Sequence, residues 1–239
     1  MNLTEIGNHF KRIYERKNLV HYPSLNHHIM FLLSQSHRLT KAFRKHAEDK
    51  DILGENLARM VARILAIVNH GWDLPFTESM CKKFPEGECS SCHAFECICE
   101  DEERAEYVFH KPSNEQPFWN LHDHQKNLDR VFGKTNSDKG GVLYCLHRLD
   151  DEIKELNEIA IGHDHLDSSV SDIEDAYTSE LADILAWTIA VAVQLNIDLE
   201  HYVREVYENG CPECKHVPCD CKRFRVVNSA IVMANTQLA

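Results

Sequence analysis

The stretch Glu180–Leu199, Glu-Leu-Ala-Asp-Ile-Leu-Ala-Trp-Thr-Ile-Ala-Val-Ala-Val-Gln-Leu-Asn-Ile-Asp-Leu, decides the fold. Most of it is apolar and helix-compatible, which predicts a buried helix of about four to five turns. Two carboxylates, Glu180 and Asp183, interrupt that character near its start. Three residues apart on a helix, they share a face. The preceding periodic segment, Val142–Ile161, carries Glu152 and Glu155 at the same spacing. Packed together, the two helices aim four carboxylates at one point, the all-oxygen ligand set of a hard divalent cation such as magnesium. On an acidic chain a lone Glu-x-x-Glu is ordinarily a solvated helix face. The second pair says more, because an unneutralised charge at the mouth of an apolar helix is costly.

The chain has 239 residues, enough for one large or two small domains, and a formal net charge of −12. That charge argues against a nucleic-acid partner, whose surface would need a basic stripe. It leaves phosphate substrates open, since a bound metal reverses the local sign. With no charge-free apolar run of about 18 residues, no membrane partner is expected. The start, Met-Asn-Leu-Thr-Glu-Ile, is not a signal-peptide pattern, and the spacing of the ten cysteines is not that of a disulfide scaffold. A reducing cytoplasm is the expected setting.

Working outward, Leu3, Ile6, Phe10, Ile13 and Tyr14 set a helical rhythm over Leu3–Lys17. Ser24 is placed to cap a second helix running to about Lys45, and Asp51–Asn69 predicts a third. Gly71-Trp72-Asp73-Leu74-Pro75 turns into a short fourth, followed by Cys89-x-x-Cys92-x-x-x-x-Cys97-x-Cys99. The same order then begins again. Leu121, Leu128, Val131 and Phe132 match Leu3, Phe10, Ile13 and Tyr14, and Cys211-x-x-Cys214-x-x-x-x-Cys219-x-Cys221 matches the first cluster. Gln35-x-x-Arg38 stands where Glu152-x-x-Glu155 stands, and Asn56-Leu57-Ala58-Arg59 where Glu180-Leu181-Ala182-Asp183 does. The acidic, proline-containing stretch Glu100–Pro117 separates the copies. In the first copy each leading Glu is an amide and each trailing acid an arginine. Two amides and two guanidiniums cannot hold magnesium, so the first half reads as silent and the second as active.

Each cysteine cluster offers a Cys-x-x-Cys knuckle followed by Cys-x-Cys, a metal pattern whose exact repetition argues against coincidence. Structural zinc, closed by four thiolates, is the natural occupant, with an iron–sulfur cluster as the second choice. His93 and His216 are available to replace a thiol, and the spacing leaves open whether each cluster closes its own site. Cys81 and Cys145 stand outside both clusters as buried apolar thiols.

Glu152-x-x-Glu155-Leu156, Glu180-Leu181-Ala182-Asp183 and Asn196-Ile197-Asp198-Leu199 together resemble the MazG-type all-α nucleotide pyrophosphohydrolases over about residues 140–210. The resemblance implies an all-α helical bundle of two MazG-like repeats forming an internal pseudo-dimer, each with a cysteine-rich metal loop. The boundaries are 1–105 for a degenerate repeat, 106–117 for a linker, 118–225 for a catalytic repeat and 226–239 for a tail. It also implies a magnesium-dependent enzyme that cuts a nucleoside triphosphate into monophosphate and pyrophosphate. Glu152, Glu155, Glu180 and Asp183 would hold the metal, with Glu152 or Glu155 orienting water. Arg38 and Arg59 either reflect drift in a copy whose site is no longer needed, or would neutralise buried charge at the interface or contact phosphate. Lys83 is a third candidate for such an interface or phosphate contact. Lys83-Phe84-Pro85 matches the family's Lys-aromatic-Pro pattern, whereas the second half has Val206-Tyr207-Glu208, so a family cation is expected to be missing beside the acids. The rivals are a dUTP- or dCTP-specific all-α pyrophosphatase and a non-catalytic nucleotide-binding or interaction module. Further homo-oligomerisation is left open.

Other residues read blandly. His163-Asp164-His165 and His122-Asp123-His124 are expected to be exposed loop histidines, Glu158 a peripheral or solvated carboxylate, and Trp72 and Trp187 core aromatics.

Overall fold

The computed structural model describes residues 1–21, 24–70, 76–99, 116–162 and 170–221. The chain is all-α: α1 (Leu3–His21), α2 (Leu25–His46), α3 (Lys50–Val68), α4 (Phe76–Lys83), α5 (Leu121–Leu128), α6 (Lys134–Asp138), α7 (Val142–Gly162), α8 (Val170–Gln194) and α9 (Leu199–Tyr207). A π turn, Asp129–Gly133, joins α5 to α6. Among the described residues there is no strand, and one isolated antiparallel bridge pairs Asn2 with Asn120.

Local chemistry sets the helix starts. Asn2 accepts from the Glu5 backbone while Glu5 accepts from the Asn2 backbone, and Asn120 and Asp123 do the same before α5. Both are reciprocal capping boxes that satisfy amides a helix start leaves orphaned. Asp49 caps α3 through the Ile52 amide, and Asp198 caps α9 through the His201 amide.

The long helices pair as α2 with α3 and α7 with α8, and the pairs cross through α2 with α7 and α3 with α8. The short helices lie on the long helix of the other half, α4 on α8 and α9 on α3. One continuous core results, with Leu57, Ile64, Leu149, Leu181, Leu185 and Ile189 fully buried in it. Ser36 of α2 donates a hydrogen bond to Asp150 of α7 across the crossing. The two halves therefore share their apolar burial.

The structure departs from the expected helix Glu180–Leu199 at both ends. The helix begins at Val170, so Glu180 and Asp183 lie in its interior rather than at its mouth. It ends before Asn196, which adopts a left-handed φ of 52° while the Ile197 amide reaches back to the Ala192 carbonyl. That closure is the Schellman arrangement, and asparagine tolerates the left-handed position it requires. Asp172–Gln194 is long and apolar enough to cross a membrane, but 67% of its most apolar window is buried among the other helices.

His122 and His124 are on α5 and not in a loop, because the Asn120 capping box starts a helix there. His124 is buried edge-on against Trp119, and burial pulls its pKa down to about 4, partly opposed by Asp123. Glu158 is exposed. Trp72, His163-Asp164-His165, linker residues 106–115 and the tail 226–239 lie outside the described residues.

The α3–α9 contact depends on a glycine. A Cβ at Gly54 would sit 2.5 Å from the Tyr202 ring, which is tethered by a 2.7 Å hydrogen bond from its hydroxyl to Asp51. Gly54→Ala is expected to cost about 1–3 kcal/mol by overpacking. Urea unfolding should show most of that loss relieved when Tyr202→Ala is added. Simple additivity of the two changes would contradict the packing argument.

Candidate functional site

Glu152 on α7 and Glu180 and Asp183 on α8 each bring a carboxylate oxygen within 4.8 Å of the other two. Glu155, one turn beyond Glu152, stands outside this trio. Glu152 is 3% exposed, and one of its oxygens accepts from Arg148 Nη2 at 3.3 Å and Trp187 Nε1 at 3.2 Å. Glu180 Oε2 is buried and has no hydrogen-bond partner among the described residues. Burial raises the Glu180 pKa to about 7; Asp183 adds to the rise, Lys83 opposes it, and Glu152 and Glu155 contribute further repulsion. Three crowded acids and an orphaned buried oxygen are the electrostatic demand that a divalent cation meets.

Part of that demand is met from the first half. Lys83, 5% exposed at the end of α4, ion-pairs with Asp183 and donates to Ser179 Oγ at 2.9 Å and the Ser179 carbonyl at 3.3 Å. The cation expected to be missing from the second half is therefore present, supplied by the first half's own Lys-Phe-Pro. The reason is topological: α4, from the first half, packs on α8 of the second. Sequence position alone pointed to the wrong half.

Glu152 and Asp183 open onto a cavity of about 170 Å³ walled by Arg148, Trp187, Phe84 and Phe132, and by thiols of the first cysteine cluster. Arg148 and Trp187 were missed as site residues. The available signals were their helical spacings, Arg148 four residues before Glu152 and Trp187 four after Asp183.

The four sulfurs of each cluster lie within 4.8 Å of one another, so each cluster closes its own site. Sulfur pairs are separated by 3.9 Å for Cys89–Cys99, 3.6 Å for Cys211–Cys221 and 3.9 Å for Cys214–Cys219. Thiolates bound tetrahedrally at the zinc–sulfur distance would be about 3.8 Å apart. Both clusters thus fit a metal such as zinc. Hydrogen bonds from the Cys97 thiol and from the Cys92 and Ser91 amides hold Cys89 low, near 4, against the cost of burial. Burial raises Cys211, but the Cys214 and Glu213 amides outweigh it and bring it to about 7. None of the ten cysteines is disulfide-bonded; Cys81 and Cys145 are buried. His93 lies outside the first thiol group, while exposed His216 forms an alternative trio with Cys214 and Asp220.

Each loop is fastened to the opposite half. The Cys97 amide donates to the Val131 carbonyl at 2.8 Å, and Lys139 donates to the Cys99 carbonyl at 3.1 Å. The Cys219 amide donates to the Ile13 carbonyl at 2.8 Å, and Lys17 to the Cys221 carbonyl at 3.2 Å. Elemental analysis of purified protein is expected to find about one zinc per cluster. Eight freely titrating thiols with neither zinc nor iron would contradict this.

In the first half, Gln35 and Asn56 meet through a 3.1 Å side-chain hydrogen bond. Arg38 and Arg59 line a second cavity, beside the second cysteine cluster and away from the acids. Comparison with protein-family models, curated proteins and solved structures finds no match to this chain.

Proposed function

We propose that the chain is a magnesium-dependent nucleoside triphosphate pyrophosphohydrolase of the MazG-type all-α kind, active in its second half and silent in its first. The observation that carries this reading is the convergence of Glu152, Glu180 and Asp183 with an unpartnered, buried Glu180 oxygen among them. Magnesium, when bound by these acids, supplies neutralisation of the phosphates and of charge developing at the cut linkage. Arg148 and Trp187 fix Glu152 in place, and Lys83 with Ser179 fixes Asp183. Glu155, beside the trio but not in it, suits the task of orienting the attacking water. Water oxygen bonds to the α-phosphorus, the bond to the bridging oxygen breaks, and pyrophosphate leaves with that oxygen. Trp187, Phe84 and Phe132 give the cavity the flat apolar walls a nucleobase packs against.

The same proposal takes the halves as an internal pseudo-dimer. Asn2 and Asn120, equivalent by the repeat, pair with each other, as two residues on a two-fold axis do. The matching caps of α1 and α5, and the reciprocal α4–α8 and α9–α3 contacts, support the same symmetry.

A panel of natural ribo- and deoxyribonucleoside triphosphates in competition, with products separated by anion exchange, tests the substrate. Turnover of several bases supports the MazG-type reading. Turnover of dUTP or dCTP alone would assign the narrower enzyme, and tight binding without products a non-catalytic module.

A further inference from the structure

We propose that the cavity between α2, α3 and the second cysteine loop is a binding site for a phosphate-bearing anion that needs no divalent metal. It measures about 280 Å³ and is lined by Gln35, Arg38, Arg59 and Arg63, with Lys17 and Tyr14 among the wall residues. This volume suits a phosphate or a mononucleotide, near the small end of ligand pockets. The inference stands on this cavity's own side chains and is independent of the activity proposed for the acids.

Charge is the first argument. Four cationic side chains face the space, and Glu213 is the carboxylate among its lining residues. Gln35 donates to Asn56 Oδ1 and Asn56 donates to the Ile52 carbonyl, and as neutral amides they add no charge to offset the arginines. An arginine cluster in a concave wall is the arrangement that recognises phosphate, because the planar guanidinium matches its oxygens two at a time.

The arginines are also little used by the protein itself. Arg38 has no hydrogen-bond or ion-pair partner among the described residues and reaches an exposed position. Arg59 makes two loose ion pairs, 3.8 Å to Glu55 and 3.9 Å to Glu213, and both carboxylates are more than half exposed. Arg63 lies over the Phe31 ring at 5.0 Å, which holds the head in place while leaving its edge free to donate.

The thiols of the second cluster do not account for this charge. Lys17 is the cation that touches them, at 3.4 Å from Cys219 Sγ. The first cluster has the same four thiols and shares its cavity with Glu152, Asp183 and a single arginine, Arg148, which is bound to Glu152. A zinc–thiolate loop of this kind therefore needs no arginine cluster beside it. Tyr14 and Tyr207 wall the same cavity with edge-to-face rings 6.4 Å apart, which offers a planar group a place to pack.

The test is isothermal titration of the full chain, carrying Asp183→Asn to silence the acid centre, in buffer without magnesium. The probes are orthophosphate, pyrophosphate and a nucleoside monophosphate. Saturable one-site binding is expected, weakened at least about tenfold by Arg59→Ala and by Arg38→Ala, as the loss of a charged hydrogen bond requires. Arg59→Lys should recover only part of the affinity. A monophosphate that binds much more tightly than orthophosphate identifies a nucleotide site, and equal affinities identify a site for the phosphate group alone; both support the proposal. Absence of saturable binding, binding that appears only with magnesium, or binding indifferent to both arginine changes would overturn it. Circular dichroism checks folding, and Arg38→Ala, at an exposed position, keeps the test available if Arg59→Ala misfolds.

Discussion

Glu180→Gln is expected to lower the rate of pyrophosphate release by at least about a hundredfold, roughly 3 kcal/mol of transition-state stabilisation. The amide keeps the side-chain volume and removes the charge that draws a cation into the trio. The same change should raise the melting temperature of the metal-free protein. Glu180 is pushed up to about 7 by burial and by neighbouring acids, from 4.5 for the free group. A raised carboxylate pKa favours the folded state when protonated and disfavours it when ionised. Metal-free wild type should therefore lose stability as pH rises from about 4.5 through 7, and the Gln variant should not show that loss. Magnesium should restore stability to wild type at pH 8 and do little for the variant. Thermal melts across pH, with and without magnesium, check both signs. A variant with full activity, or a wild type whose stability rises through this window for want of any Glu180 effect, would contradict the assignment.

Lys83→Met should give the second large effect, a loss of about 3 kcal/mol in metal-free stability. The apolar stem still fills its place, but Asp183 keeps a charge without its buried partner, and breaking a buried pair from one side costs about that much. Asp183→Asn in the same chain should recover most of the loss, since the amide carries no charge to strand. Lys82→Met, one residue away, removes only a surface pair with Glu78 and should change stability by less than about 0.5 kcal/mol. Denaturant unfolding of wild type, Lys83→Met, Asp183→Asn and the double variant closes the cycle, with Lys82→Met as the surface control. Equal effects at positions 82 and 83 would show that Lys83 is not the cation of this site.

The helical class could be read from apolar periodicity, since α2, α3 and α7 fall within a few residues of their expected limits. The end of α8 was harder, because Asn196-Ile197-Asp198 reads as helix-compatible while its asparagine closes one helix and its aspartate caps the next. Of the four acids read from i and i+3 spacing, Glu152, Glu180 and Asp183 come together, whereas Glu155 stands outside the group. Lys83 was legible as a motif but not as a neighbour of Asp183. Its partner lies 100 positions away in sequence, and only the packing of α4 on α8 joins them. The thiol clusters were legible as metal-ligand patterns from their repeated spacing, but their separate closure was not, because only the folded loops bring each set of four sulfurs together. The wall around the acids, Arg148 and Trp187, was hidden because a partly exposed arginine and a helical tryptophan have ordinary structural uses.

The most direct measurement is phosphorus NMR of the purified protein incubated with a nucleoside triphosphate and magnesium. The account predicts paired growth of monophosphate and pyrophosphate signals, no growth when magnesium is left out, and growth at least about a hundredfold slower with Glu180→Gln. Orthophosphate and a nucleoside diphosphate as products, or an unchanged triphosphate across all natural bases, would contradict it.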